Sequence, residues 1–277
     1  MRFLLTGGNG FIGRNLSLVL AQRGHHVTSI VRSTKKIHHK NIKYIDFEIK
    51  LKNQLKIYDQ YDCFIDLAWE DVSDVNSEKH LSFNLDAHLD LVKLIIKQGI
   101  KNIFILGSCF EYSISSKALS ETSITDPVTD YGKSKLMLLR EILKLKAKED
   151  FNLIWGRLFY IFGKDQPKNT LYGSLVDSHE QQKKTFKLKT PYLELDYLHI
   201  DQATEIIANL CELNSDVGVI NICSGKPIMV KELIKKIIHK KKLPIKIFHA
   251  KEKDAANLDS FWGDNSYLKS LLKYDQK

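Results

Sequence analysis

A chain of 277 residues with 43% hydrophobic content and a net charge of +9 can bury one large core with a smaller satellite, and it is too apolar to stay disordered. No apolar run approaches the roughly 20 residues that span a bilayer, and the N-terminal stretch lacks a signal-peptide pattern, so a cytoplasmic protein with no membrane partner is expected. The basic residues sit in short clusters such as Lys35-Lys36, Lys183-Lys184 and Lys240-Lys241-Lys242 rather than in a stripe with base-reading elements, which speaks against nucleic-acid binding.

In chain order, "RFLLT" (2 to 6) is a short apolar run that ends in glycines, and Phe11 to Arg23 then repeats apolar residues at helical spacing. "HVTSIV" (26 to 31), "IKYIDF" (42 to 47) and "CFIDLA" (63 to 68) read as strands, with a weak helix before the last. A long helix follows from Glu78 to Gln98, whose apolar positions 81, 85, 89, 92 and 96 predict one buried face. "NIFILGS" (102 to 108) is a strand, Tyr131 to Lys148 a helix and "NLIWGRLF" (152 to 159) a strand. Beyond residue 164 the rhythm loosens into helices near 173 to 182 and 201 to 211, strands near 193 to 199 and at "GVINI", and one more helix. Strands alternating with helices imply an α/β fold, a doubly wound parallel sheet of Rossmann type. The expected division is a dinucleotide-binding domain over 1–164, its sheet completed by parts of 195–225, and a smaller substrate-binding lobe over 165–277.

"TGGNGFIG" places Gly7, Gly10 and Gly13 between the first strand and the first helix, with Phe11, Ile12 and Arg14 in the opening turn. Glycines there permit a tight turn, close approach to a pyrophosphate and close helix packing, while the helix N-terminus attracts phosphate. An acidic residue usually ends the second strand when the cofactor is NAD, because it bonds the ribose 2′-hydroxyl. Here the strand runs into "VRSTKK". Arg32, with Ser33 and Lys35 or Lys36, suits a 2′-phosphate, so NADP(H) is favoured over NAD(H); a basic surface loop is the alternative.

Ser108 ends a central strand, where doubly wound sheets bind ligands, and Tyr131 and Lys135 open the next helix four residues apart on one face. An ammonium so placed can lower the phenol pKa from about 10 toward the working range, and the three residues together make a proton relay.

These segments, with "DLAW", Asn84, "GRLFYIFG", "LDYLHIDQA", "NICSGKP" and "FWGDN", resemble the extended short-chain dehydrogenase/reductase family (the NAD-dependent epimerase/dehydratase family) in its nucleotide-sugar branch. The likeness runs almost end to end and is nearest to dTDP-6-deoxyhexose 4-ketoreductases and 4-dehydrogenases. It implies Tyr131 as proton donor and acceptor, Ser108 as polariser of the sugar carbonyl, and Lys135 as a further holder of the nicotinamide ribose. It also implies adenine contact at Asp46 and Phe47, ribose contact at Leu67 and Ala68, and a homodimer built on the helices at 78 to 98 and after Tyr131. Phe47 as a core aromatic and Asn84 as a structural bond maker stay open. Cys109 has no base partner and reads as a structural thiol, while His199 reads as packing or hydrogen bonding where the lobe joins.

Departures narrow the substrate. Dehydratases of the family carry Asp and Glu directly after the residue that corresponds to Ser108, and this chain has Cys109 and Phe110, so a 4,6-dehydratase is not expected. Leu195 stands where relatives hold the diphosphate with an arginine, and Tyr160 where they often carry a substrate-binding asparagine. Phosphate recognition then falls to Lys184, Lys187 or Lys189, with Lys187 as the principal candidate. Ser108, Cys109, Phe110 and Tyr160 complete the expected substrate site, with no metal. The resulting expectation is NADPH-dependent reduction of a nucleotide-linked 4-keto-6-deoxyhexose, dTDP-linked first, at C4. The alternatives are a 4-epimerase, an NAD-dependent sugar 4-dehydrogenase, or a non-catalytic NADP-sensing regulator.

Overall fold

The computed structural model describes residues 1–32, 37–47, 59–113, 118–249 and 260–273. The chain begins with β1 (Arg2–Thr6), α1 (Phe11–Gln22), β2 (His26–Val31), β3 (Ile42–Asp46), β4 (Cys63–Asp66), α2 (Leu85–Lys97), β5 (Asn102–Ser108), β6 (Ala118–Leu119) and α3 (Asp130–Lys146). It continues through β7 (Asn152–Leu158), β8 (Tyr160–Phe162), α4 (Leu171–Glu180), β9 (Thr185–Leu188), β10 (Glu194–His199) and α5 (Ile200–Glu212). Last come β11 (Gly218–Ile222), β12 (Pro227–Met229), α6 (Val230–Lys241), β13 (Lys246–His249), β14 (Trp262–Gly263) and α7 (Ser266–Leu272).

Seven strands pair in the order β11-β7-β5-β4-β1-β2-β3, every pairing parallel, which is the expected doubly wound sheet. The pleat sends alternate residues to opposite layers. Phe3 and Leu5 of β1 pack with Leu16 and Leu20 of α1 and Ile206, Ile207 and Leu210 of α5. Leu4 turns the other way, with Phe64, Ile103 and Ile105, onto Leu91 and Ile95 of α2 and Leu138 and Ile142 of α3. Each such side chain contributes roughly 1.5–3 kcal/mol on burial, so both helical layers are clamped to the sheet. Strand order reverses between β1 and β4, and this switch point opens the crevice where such folds bind ligands.

Smaller sheets complete the chain: β12-β10-β8, β13-β9 and β14-β6. Tyr172 and Leu175 of α4, Phe186 and Leu188 of β9, and Leu233, Ile234 and Ile237 of α6 form a third core. A fourth, with Tyr112, Leu119, Phe159, Leu195, Cys223 and Phe261, fills the space between β5, β7 and β10.

The predicted face of the long helix needs correction. Val92 is buried, but Leu81 is 37% exposed and Leu85, Leu89 and Ile96 are half-buried. The buried positions are His80, Asn84, Ala87, His88, Leu91, Val92 and Ile95. The helix opens with a π-helical turn over His80–Asn84, and the wider turn changes the phase of the pattern. Polar residues are drawn inward because they find partners there.

Candidate active site

A cleft of about 770 Å³ lies at the switch point, within the usual size for a cofactor or substrate site. Of the residues expected at a dinucleotide, Gly7, Gly10, Phe11, Ile12, Gly13, Arg32, Phe47, Leu67 and Ala68 line it. Arg14 sits in the first turn of α1, Asp46 closes β3, and Tyr131 and Lys135 lie at the start of α3, none of the four on the lining. Gly7 turns at φ +71°, and a Cβ on Gly13 would fall 2.3 Å from the Gly7 carbonyl oxygen, so the loop and α1 meet only without side chains there. Gly10 caps α1 with no side-chain hydrogen bond, and the first turn holds no acidic residue. The exposed amides and the helix dipole therefore suit a phosphate, and the loop fits a dinucleotide.

Ser33, Lys35 and Lys36 lie outside the described residues. Arg32 is described, and the cation expected to hold a 2′-phosphate is already engaged by a carboxylate: Glu70 forms an ion pair with it. Glu70 is fixed in turn by Asn84, whose Oδ1 accepts from the Glu70 N–H at 3.0 Å and whose Nδ2 donates to the Glu70 carbonyl at 3.1 Å. The structure therefore gives Asn84 the bond-making role.

At the far end of β5, Ser108 caps a short turn over Cys109–Glu111, its Oγ accepting from the Phe110 N–H at 3.2 Å. Thr129 caps α3 by accepting from the Gly132 N–H at 3.1 Å. A Cβ at Gly132 would lie 2.2 Å from the Phe110 carbonyl oxygen, so glycine lets α3 approach the turn, and the Tyr131 ring meets Phe110 edge-on. Behind Ser108, the buried Glu111 carboxylate accepts from the Ser108 N–H at 2.8 Å, from Trp155 Nε1 at 3.0 Å and from Arg157 Nε at 2.8 Å. That network holds the serine rigidly.

Lys135 is buried, and its Nζ donates to the Leu106 carbonyl at 2.8 Å while lying 3.5 Å from the centre of the Trp69 ring and 6.0 Å from that of Tyr131. The lowered phenol expected from the spacing is not the state described here. Burial pushes Tyr131 above its ordinary range, and the Ser108 hydrogen bond pulls it partly back. Burial also brings Lys135 down to about 8, opposed by the Asp66 and Glu111 carboxylates.

Sequence reasoning missed what surrounds the lysine. Trp69 stacks on His88 at 4.9 Å and donates through Nε1 to His80 Nδ1 at 3.0 Å. His80 Nε2 meets the Asp74 carbonyl at 2.8 Å, so Nε2 carries its proton. Asp66, buried between Thr6 Oγ1 and His88 Nδ1, both at 2.6 Å, is held below its usual range by His88, Thr6 and Lys135 against the cost of burial. His80, Asn84 and His88 recur every four residues, and that polar stripe was the available signal. Trp69 lines the cleft and touches both Lys135 and Tyr131, so it joins the two halves of the site.

Among the expected substrate residues, Phe110 stands edge-on to both Tyr131 and Tyr160 at 6.1 Å, and Tyr160 also meets Tyr197 and Phe261. Cys109 is buried and its thiol is pushed far up by that burial, so it is no nucleophile. Lys187 is exposed on β9 while its neighbours Phe186 and Leu188 face the third core; it does not line the cleft. Leu195 is a core residue beside Phe261. His199 caps α5 and packs edge-on against Phe162 at 5.2 Å.

A model of the NAD dependent epimerase/dehydratase family matches residues 3–223. The chain belongs to this family. One relative is the dTDP-6-deoxy-L-talose 4-dehydrogenase (NAD(+)) of Aggregatibacter actinomycetemcomitans, 25% identical over 274 residues, covering 95% of this chain and 99% of the relative. The GDP-6-deoxy-D-talose 4-dehydrogenase of the same organism is 24% identical, covering 81% and 75%. Among solved structures, MoeE5 in complex with UDP-glucuronic acid and NAD superposes with a TM-score of 0.82 at 19% identity, over 100% of this chain and 94% of that one. The UDP-N-acetylglucosamine 4-epimerase from Bacillus cereus gives 0.79 at 19%, over 99% and 93%. At such identities the structural likeness is one of fold.

Proposed function

We propose that the protein interconverts a C4 ketone and a C4 hydroxyl on a nucleotide-linked 6-deoxyhexose, running as an NADPH-dependent 4-ketoreductase. The observation that carries the reading is the buried Lys135 set against the rings of Trp69 and Tyr131, with Ser108 ending the neighbouring β5, where Trp69 lines a cleft whose glycine loop suits a dinucleotide. Near-complete overlap with the relative named dTDP-6-deoxy-L-talose 4-dehydrogenase (NAD(+)) supports oxidation and reduction at C4. A bound nicotinamide supplies or accepts the hydride at C4. Tyr131 gives its proton to the C4 oxygen, Ser108 donates a hydrogen bond to that oxygen, and the Lys135 ammonium stabilises the phenolate left behind. Phe110 and Tyr160 offer the sugar an apolar wall. Cys109 and Phe110 supply no acid and base for removing water, so another enzyme must make the ketone.

Arg32 at the end of β2 supports the NADP(H) preference, tempered by the ion pair with Glu70. The reading includes the division at residue 164 and a homodimer through the helical segment 78 to 98 and α3, for which part-exposed Leu81 and Met137 offer apolar surface; sedimentation tests the latter. The test of function is to supply dTDP-4-keto-6-deoxyglucose from a separate dehydratase together with NADPH, and follow nicotinamide absorbance and product mass. One NADPH consumed per 4-hydroxy sugar formed is expected. No oxidation with dTDP-, CDP-, GDP- or UDP-linked ketones overturns the reading, and interconversion of two 4-hydroxy sugars without net cofactor use replaces it with a 4-epimerase.

A further inference from the structure

Gln166 lies in the loop between β8 and α4, where its backbone N–H donates to the Gly163 carbonyl at 3.3 Å and its Nε2 donates to the Ile161 carbonyl at 2.9 Å. These two bonds fix the carboxamide with its nitrogen toward the main chain. Its Oε1 is buried and has no hydrogen-bond partner among the described residues, although Gln166 and Ile161 both line the cleft. A buried acceptor left without a donor is costly, and such groups in native proteins nearly always have a partner when the site is complete.

The sheet order says which part of a ligand reaches it. The glycine loop after β1 sits at the switch point, with Arg32 and Phe47 at the exits of β2 and β3 on one side. On the other side lie β4, β5 and β7, whose exits bring Ala68, Ser108 and, through β8, Ile161 and Gln166. A dinucleotide laid across that point, adenosine toward β2, puts its nicotinamide on the side of Gln166. Hydrogen-bond donors on that half are the ribose hydroxyls and the carboxamide N–H₂. The proposed function assigns the ribose to Lys135, and the carboxamide remains.

We propose that Gln166 Oε1 accepts a hydrogen bond from the nicotinamide carboxamide N–H, so that Gln166 is a specificity-determining residue that fixes the rotation of the ring and hence the face offered to the sugar. This inference rests on the cleft taking a nicotinamide dinucleotide. The test measures binding, not turnover, by calorimetry: NADP⁺ against its 3-acetylpyridine analogue, in which a methyl group replaces the amide nitrogen and the carbonyl is kept. Wild-type protein is expected to bind NADP⁺ about tenfold more tightly than the analogue. In Gln166→Leu and Gln166→Met, checked for fold by circular dichroism, that ratio is expected to fall to about one or below. Equal wild-type affinity for the two ligands overturns the proposal without any variant, and so does an undiminished ratio in a folded variant. If wild-type protein binds NADP⁺, NAD⁺ and their analogues not at all, the dinucleotide reading itself fails and takes this one with it.

Discussion

The Lys135 ammonium lies 3.5 Å from the centre of the Trp69 ring, and the same indole stacks on His88. A cation over an indole gains about 0.5–2 kcal/mol, here in a setting where the Asp66 and Glu111 carboxylates are the other charges acting on the lysine. Replacing Trp69 with Leu removes the ring and makes the charged lysine less favourable. The alkaline limb of the kcat/KM profile should then move to lower pH by roughly half to one unit, while Trp69→Phe should restore most of it. Superimposable profiles for all three proteins would remove Trp69 from the control of Lys135.

Burial lowers Lys135 from 10.5 to about 8. Between those values the unfolded chain binds more protons than the folded one, so this group adds stability as pH rises through the window and costs stability below it. Lys135→Met should therefore unfold at higher urea than wild type at pH 7, by about 1–3 kcal/mol, and lose that advantage by pH 10. A difference that stays constant across the window contradicts the depressed lysine.

Glu70 on Arg32 should govern cofactor choice. Glu70→Gln frees the guanidinium for a 2′-phosphate and should raise the preference for NADPH over NADH about tenfold in kcat/KM, whereas Arg32→Ala should lower it. If both variants change the two cofactors equally, the pair serves only the surface.

Glu111 and Arg157 form a buried ion pair at 2.8 Å, and the Arg157 guanidinium carbon also lies 4.4 Å from the centre of the Tyr112 ring. Arg157→Met alone leaves a carboxylate without its cation and should cost about 3–5 kcal/mol, whereas adding Glu111→Leu should return part of that loss. Urea unfolding of the two variants checks the order; a double variant less stable than the single one would be the wrong result.

The central strands β1 and β5 were legible because each is an apolar run bounded by polar residues or glycine. The same holds for Ser108, Tyr131 and Lys135, which two short segments of sequence bring together. Their actual approach depends on Gly132 beneath the Phe110 carbonyl, a contact between distant segments that periodicity does not carry. The face of α2 was misread because the rule counts apolar residues, while His80, Asn84 and His88 are buried through hydrogen bonds. β6, β8, β9, β12, β13 and β14 have two to four residues each, and their pairing is set by tertiary neighbours. Gln166 left no sequence signal at all, since a polar residue in a polar loop becomes informative only when its oxygen is found buried.

Transfer of label from cofactor to sugar reads the hydride step at C4 itself. NADPH carrying deuterium at C4 of the dihydronicotinamide is mixed with the enzymatically made dTDP-4-keto-6-deoxyhexose, and the product is read by NMR. Deuterium is expected at C4 of the sugar in a single configuration, at a rate reduced about 10²-fold or more in Tyr131→Phe with cofactor binding retained. Absence of deuterium at C4 in the wild-type product, or undiminished transfer in Tyr131→Phe, would contradict it.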